Sequence, residues 1–176
     1  MGIVLKQSFL NTVVLILGFT IGGINIVFLY TNFLEEDYFG LITFLLSTAN
    51  IMLPLMVFGM HYAVIKYFSG YTTNEEKDGF LISSLIFPLF LIVPIGLIGM
   101  GVYEALSSWL SAKNAIIKDY TYLIFLVALF QGYFEIFYAW SKVQLKSVFG
   151  NIIKELFARC CVAILLLGVY LEWLTN

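Results

Sequence analysis

Charged residues divide the chain into long apolar stretches. No charge occurs between Gln7 and Leu34 or between Gly79 and Tyr103, and only His61 breaks the run from Tyr38 to Ile65. Glu135 is the one charge between Tyr120 and Ser141, and Cys160 to Leu171 carry none. A helix that crosses a bilayer needs about 20 largely apolar residues. The pattern predicts five, over residues 9–33, 40–68, 80–103, 119–140 and 156–174. Strand-like alternation is absent, which argues against a barrel. The expected fold is all-α, a polytopic transmembrane helical bundle of about five spans. The first two stretches would be about 42 Å long at 1.5 Å per residue. That exceeds the roughly 30 Å hydrocarbon core, so they should tilt or project into the headgroups.

Within these spans the polar residues are not scattered. Thr43, Ser47, Asn50, Pro54 and His61 are spaced 4, 3, 4 and 7, which puts them on one helical face. Asn11, Gly18, Gly22 and Asn25 share a face of the first span. Thr121, Ala128, Gln131, Glu135, Tyr138 and Lys142 share one of the fourth. A helix surrounded by lipid gains nothing from such residues. Two readings stand for the first span: a close-packed seam built on Gly18-x-x-x-Gly22, or the wall of a cavity. In the second span, Pro54 removes a helical donor and bends the helix beside Asn50 and His61, which favours a wet face. Asn25, Asn50, His61, Lys66 and Gln131 are therefore the candidate cavity residues. Lys66 also has a plain reading as a side chain that snorkels to the headgroups, and His61 as a satisfied helix-face histidine.

Glu135 lies too deep for a short carboxylate to reach the headgroups freely. A mid-membrane acid costs about 2.5–3.5 kcal/mol on insertion scales. It is either the structural partner of a donor such as Lys142 or Arg159, or a proton or cation site. Residues 141–155 place Leu145, Phe149 and Ile152 at helical spacing, with Lys142 and Lys146 elsewhere around the helix. They read as an amphipathic helix along the cytoplasmic face, or else as extensions of the flanking spans.

Basic residues set the orientation. Lys6, Lys66, Lys77, Lys142, Lys146, Lys154 and Arg159 fall on one side, and Lys113 and Lys118 on the other. The positive-inside rule then places the N-terminus in the cytoplasm. Composition agrees with the spans: 61% hydrophobic and 11% charged, against roughly 45–50% and 25% in soluble domains. Mean hydropathy is +0.98. A net charge of -2 provides no basic field for nucleic acid. One histidine and two adjacent cysteines, Cys160 and Cys161, supply neither a metal set nor a disulfide framework. No hydrolase, metalloprotease or nucleotide-binding motif is present. No enzyme activity, metal or cofactor is expected.

Several strings resemble one family. They are Ser8-Phe9-Leu10-Asn11-Thr12 with Gly18 and Gly22; Phe33-Leu34 before Asp37-Tyr38-Phe39-Gly40-Leu41; Gly59 before Val64-Ile65-Lys66-Tyr67-Phe68; and Lys146-Ser147 to Glu155-Leu156 ahead of Arg159. Together they resemble the N-terminal portion of polysaccharide-biosynthesis flippases, of the multidrug/oligosaccharidyl-lipid/polysaccharide exporter superfamily. The resemblance implies part of the N-terminal lobe of a two-lobed transporter around a central cavity, in the cytoplasmic membrane of a bacterium. The implied cargo is a polyprenyl-diphosphate-linked oligosaccharide. Lys66 would meet its diphosphate, and Glu135 would bind a coupling ion or balance charge. Family members have many more spans than five. The implied partners are thus membrane lipid, the lipid-linked cargo and the remaining half of the transporter, and the chain is expected to be a fragment or to act with a partner. The alternative is a non-catalytic membrane subunit or assembly scaffold, for which the polar stripes are packing surfaces.

Overall fold

The computed structural model describes residues 2–112 and 114–171, and the side chains of all of these except residues 3 and 4. Among them every regular element is helical. Helix α1 (Ile3–Ile24) continues through a π-helical turn (Asn25–Tyr30) and a last turn (Thr31–Phe33). Then come α2 (Glu36–Met56), α3 (Met60–Tyr67), α4 (Asn74–Leu110) and α5 (Ile117–Val143). The last helical stretch comprises α6 (Ser147–Asn151), a π-helical turn (Ile152–Phe157) and α7 (Ala158–Tyr170), which follow one another without a break. Among the described residues four helices are long and apolar enough to cross a membrane: Leu5–Phe33, Glu36–Met56, Asn74–Leu110 and Ile117–Val143. The protein is an all-α, multi-pass membrane protein.

The chain forms two compact units, one of the first and last helices, the other of Gly40–Val143. In the first unit, the order of the contacts makes α1 parallel to α6–α7. Asn11 meets Ser147 and Asn151, Asn25 meets Arg159, and Phe33 stacks on Tyr170 with ring centroids 4.6 Å apart. The last helical stretch starts at Ser147, ahead of the apolar run expected from 156. Lys154, Glu155 and Arg159 interrupt the apolar pattern there, but they lie inside one continuous helix. Its expected end at 172–174 falls outside the described residues, as does Lys113.

No separate amphipathic helix occupies 141–155. The chain breaks at Gln144–Lys146, where Leu145 takes a left-handed φ of 58°. Residues on either side belong to α5 and to the last helix.

In the second unit, Leu41 and Leu45 pack with Ile117 and Ile124, while Val57 and Val64 pack with Ile136 and Ala139. The path from α2 to α3 thus ascends along α5. Helix α4 descends along it: Ser107 bonds Thr121 and the Tyr133 hydroxyl donates to Leu85 O at 2.9 Å. That carbonyl neighbours the one that Pro88 leaves without its helical donor, so a polar group on the next helix lies beside the gap in the backbone ladder. Helix α4 is 37 residues long, about 55 Å, because a capping box at Thr73 and Glu76 starts it ahead of the apolar stretch.

The span expected over 40–68 is broken. Pro54 sits in the last turn of α2, and Gly59 N–H bonds Pro54 O while Phe58 N–H bonds Leu55 O. These are the paired bonds of a Schellman ending. Phe58 (φ 48°) and Gly59 (φ 67°) are both left-handed, and Met60 opens a new helix. The expected bend at the proline is thus replaced by an outright break two to five residues beyond it. The break is pinned from outside: a Cβ on Gly132 would lie 2.5 Å from Val57 Cγ1.

Candidate functional site

In the first unit, small and amide residues let two helices approach closely. Asn11 Nδ2 donates to Ser147 Oγ at 3.0 Å, and Asn151 Nδ2 donates to Asn11 Oδ1 at 3.3 Å. Gln7 Nε2 donates to Leu145 O, and Ser147 Oγ donates to Gln7 Oε1. Farther along, Gly18 faces the Glu155 backbone and Gly22 faces the Arg159 side chain. A Cβ on Gly18 would come within 2.9 Å of Glu155 O, so only glycine permits this approach. The span-1 stripe is a packed seam, and the packing reading of Gly18-x-x-x-Gly22 holds.

That seam carries charge. Arg159 Nη2 lies 2.8 Å from Glu155 Oε2, with the side chains 34% and 19% exposed. Gly18 and Gly22 flank the middle of the apolar helix Leu5–Phe33, so the pair sits half-way along it. Glu155 lies in one π-helical turn, and Asn25, which opens the other, donates from Nδ2 to Arg159 O at 2.9 Å. Beside the pair is an open hollow of about 350 Å³ lined by Leu15, Ile16, Phe19, Thr20, Glu155 and Arg159. Among the described residues no group of acids, histidines and cysteines could hold a metal ion.

The sequence-predicted residues are distributed as follows. Asn25 is only 3% exposed, locked in the seam, with its Oδ1 buried and lacking a hydrogen bond. Asn50 is exposed together with Thr43, Ser47 and Pro54, so four of the five members of the second-span stripe form a line on α2. His61 does not share it. The break ends the angular register, and His61 is 7% exposed on α3, its ring 4.0 Å from that of Tyr62. Lys66 is exposed in the last turn of α3, its Nζ 5.2 Å from the Tyr67 ring centroid. Gln131 and Glu135 are half-buried on α5, either side of the Gly132 contact that seats α3. Lys142 Nζ lies 3.9 Å from the Tyr138 ring centroid.

Arg159, one of the donors considered for Glu135, pairs with Glu155 instead. Sequence reasoning missed that pair because its charges marked an apparent span boundary. The signal was present: Ser147, Asn151, Glu155 and Arg159 recur every four residues. That row matches the spacing of small and amide residues in the first helix. Comparison with family models, with curated proteins and with solved structures found no match.

Proposed function

We propose that the chain is part of a transporter that moves a polyprenyl-diphosphate-linked oligosaccharide across a bacterial cytoplasmic membrane, with the N-terminus inside. The observation that carries this reading is the exposed line Thr43, Ser47, Asn50 and Pro54 on a helix of membrane-crossing length. Pro54 also deprives the Asn50 carbonyl of its helical donor. Side-chain and main-chain polarity therefore coincide one turn before the break. Polar groups and irregular backbone at membrane depth are tolerated where they line water or protein, not lipid. Broken helices of this kind occur at the binding sites of transporters. The sequence strings that resemble exporter flippases support the cargo class. Lys66 would meet the diphosphate and Glu135 would serve ion coupling.

The experiment has two arms in the complete transporter, on a background lacking Cys160 and Cys161. Asn50→Cys should react with a small polar thiol reagent in membranes, whereas Ile51→Cys, also exposed but off the polar line, should not. Glu135→Gln should abolish surface polysaccharide at normal protein abundance, with Glu135→Asp retaining part. Equal inertness at 50 and 51, with export intact in Glu135→Gln, would remove the transport reading. The seam in the first unit favours a second reading, a membrane subunit whose exposed line meets a partner helix. In that case Asn50→Cys is inert to the reagent and cross-links to a cysteine on the partner.

A further inference from the structure

The Glu155–Arg159 pair is not explained by packing alone. A pair half-way along a membrane-crossing helix is costly unless its exposed part meets water or a polar ligand. A third of the Arg159 side chain is exposed, and it opens into the hollow of about 350 Å³. That volume is at the lower end of the range of small-molecule sites, about 300–1,000 Å³.

The walls define the ligand. Arg159 brings a guanidinium with five donors, of which the pair engages those on Nη2. Glu155 brings acceptors. The Thr20 hydroxyl donates to Ile16 O at 2.9 Å, which leaves its oxygen as a further acceptor. Opposite charges side by side cancel, so neither an anion nor a cation is favoured: Glu155 repels the one and Arg159 the other. A purely apolar occupant would strip water from both charges without replacing it. Adjacent hydroxyl groups, each both donor and acceptor, match a donor next to an acceptor. Phe19, 78% exposed at the rim, offers a flat apolar face to the C–H side of a ring.

We propose that this hollow is a sugar-ring subsite, in which Arg159 and Glu155 hold neighbouring hydroxyls and Phe19 covers the ring. The inference rests on the oligosaccharide reading of the cargo and assigns where one sugar of it is held. Arg159 and Glu155 are binding residues here. Asn25, which fixes the Arg159 backbone, and Gly18 and Gly22, which admit the pair, are positioning residues.

The test uses the full chain in lipid vesicles with Cys160→Ala, Cys161→Ala and Ile16→Cys, which puts a lone thiol in the wall. Modification by a small polar thiol reagent is timed with glucose, N-acetylglucosamine or sodium phosphate present. A sugar at twice its Kd should slow modification about threefold, and phosphate should not. The protection should vanish in Glu155→Gln. Should that variant fail to fold, Phe19→Ala, which alters only an exposed ring, should also weaken protection. A thiol at position 16 that never reacts would mean that the hollow faces lipid and would overturn the proposal. Protection by phosphate alone, or sugar protection unchanged in the two variants, would overturn it equally. Sugar protection in the parent that both variants weaken, together with normal polysaccharide export by the complete transporter carrying Phe19→Ala, would uphold the subsite and count against the transport reading instead.

Discussion

Replacing Gly132 by alanine tests whether the broken helix is seated as described. The added Cβ would lie 2.5 Å from Val57 Cγ1 and 3.5 Å from Val57 Cβ. Val57 is fully buried beside the break and is β-branched, so its side chain has little freedom to turn away. Forcing a methyl group into a packed core costs about 1–3 kcal/mol. Alanine in place of glycine inside a helix returns about 0.5–1 kcal/mol. With so close a contact the steric cost falls in the upper part of its range and exceeds the helix gain, so Gly132→Ala should destabilise by up to about 2.5 kcal/mol. Gly96 and Gly99 in α4 have open space around them, so alanine there should be neutral or stabilising. Val57→Ala alone should be destabilising through lost burial and a cavity. Combined with Gly132→Ala, it should lose at least about 1 kcal/mol less than the two single effects added, because the new methyl enters the space vacated. Unfolding in detergent, followed by tryptophan fluorescence, measures the parent, the two single variants and the double variant, and Trp140 packs against this same cluster. Additive effects, or a Gly132→Ala variant as stable as the parent, would refute the seating of Val57 on α5.

Three further outcomes are expected. Leu145 has a left-handed φ of 58° and is 57% exposed, so Leu145→Gly should raise stability by about 1 kcal/mol in the same unfolding assay. Asn11→Ala and Asn151→Ala should each cost about 1–2 kcal/mol through a lost seam bond and a stranded partner, and the double variant should cost less than their sum. Reporter fusions should signal outside after Asp37 and inside after Lys77 and after Lys146; an inside signal at Asp37 would reverse the orientation.

Helicity and the membrane setting were legible from residue pattern alone, because an apolar run must be long enough to cross hydrocarbon and must satisfy its own backbone. The charge-free core of α4 and the whole of the fourth span fell close to their expected places for that reason. So did the first-span stripe, since residues 3, 4 or 7 apart share a helical face whatever lies opposite. Where those faces point was another matter. The pattern could not say that the first stripe meets the last helix, because two helices more than a hundred residues apart in sequence are brought together only by the folded chain. The last helical stretch begins at Ser147, and that pairing sets Glu155 and Arg159, an apparent boundary in the sequence, beside the middle of the first helix. Periodicity also carried His61 through the second span on the assumption of an unbroken helix. The left-handed turn at Phe58 and Gly59 resets the register, and the local cue, Pro54 with Gly59, predicts a bend without deciding its end point. Close packing of Val57 on Gly132 decides it, and beyond that turn His61 is buried while Asn50 before it remains exposed.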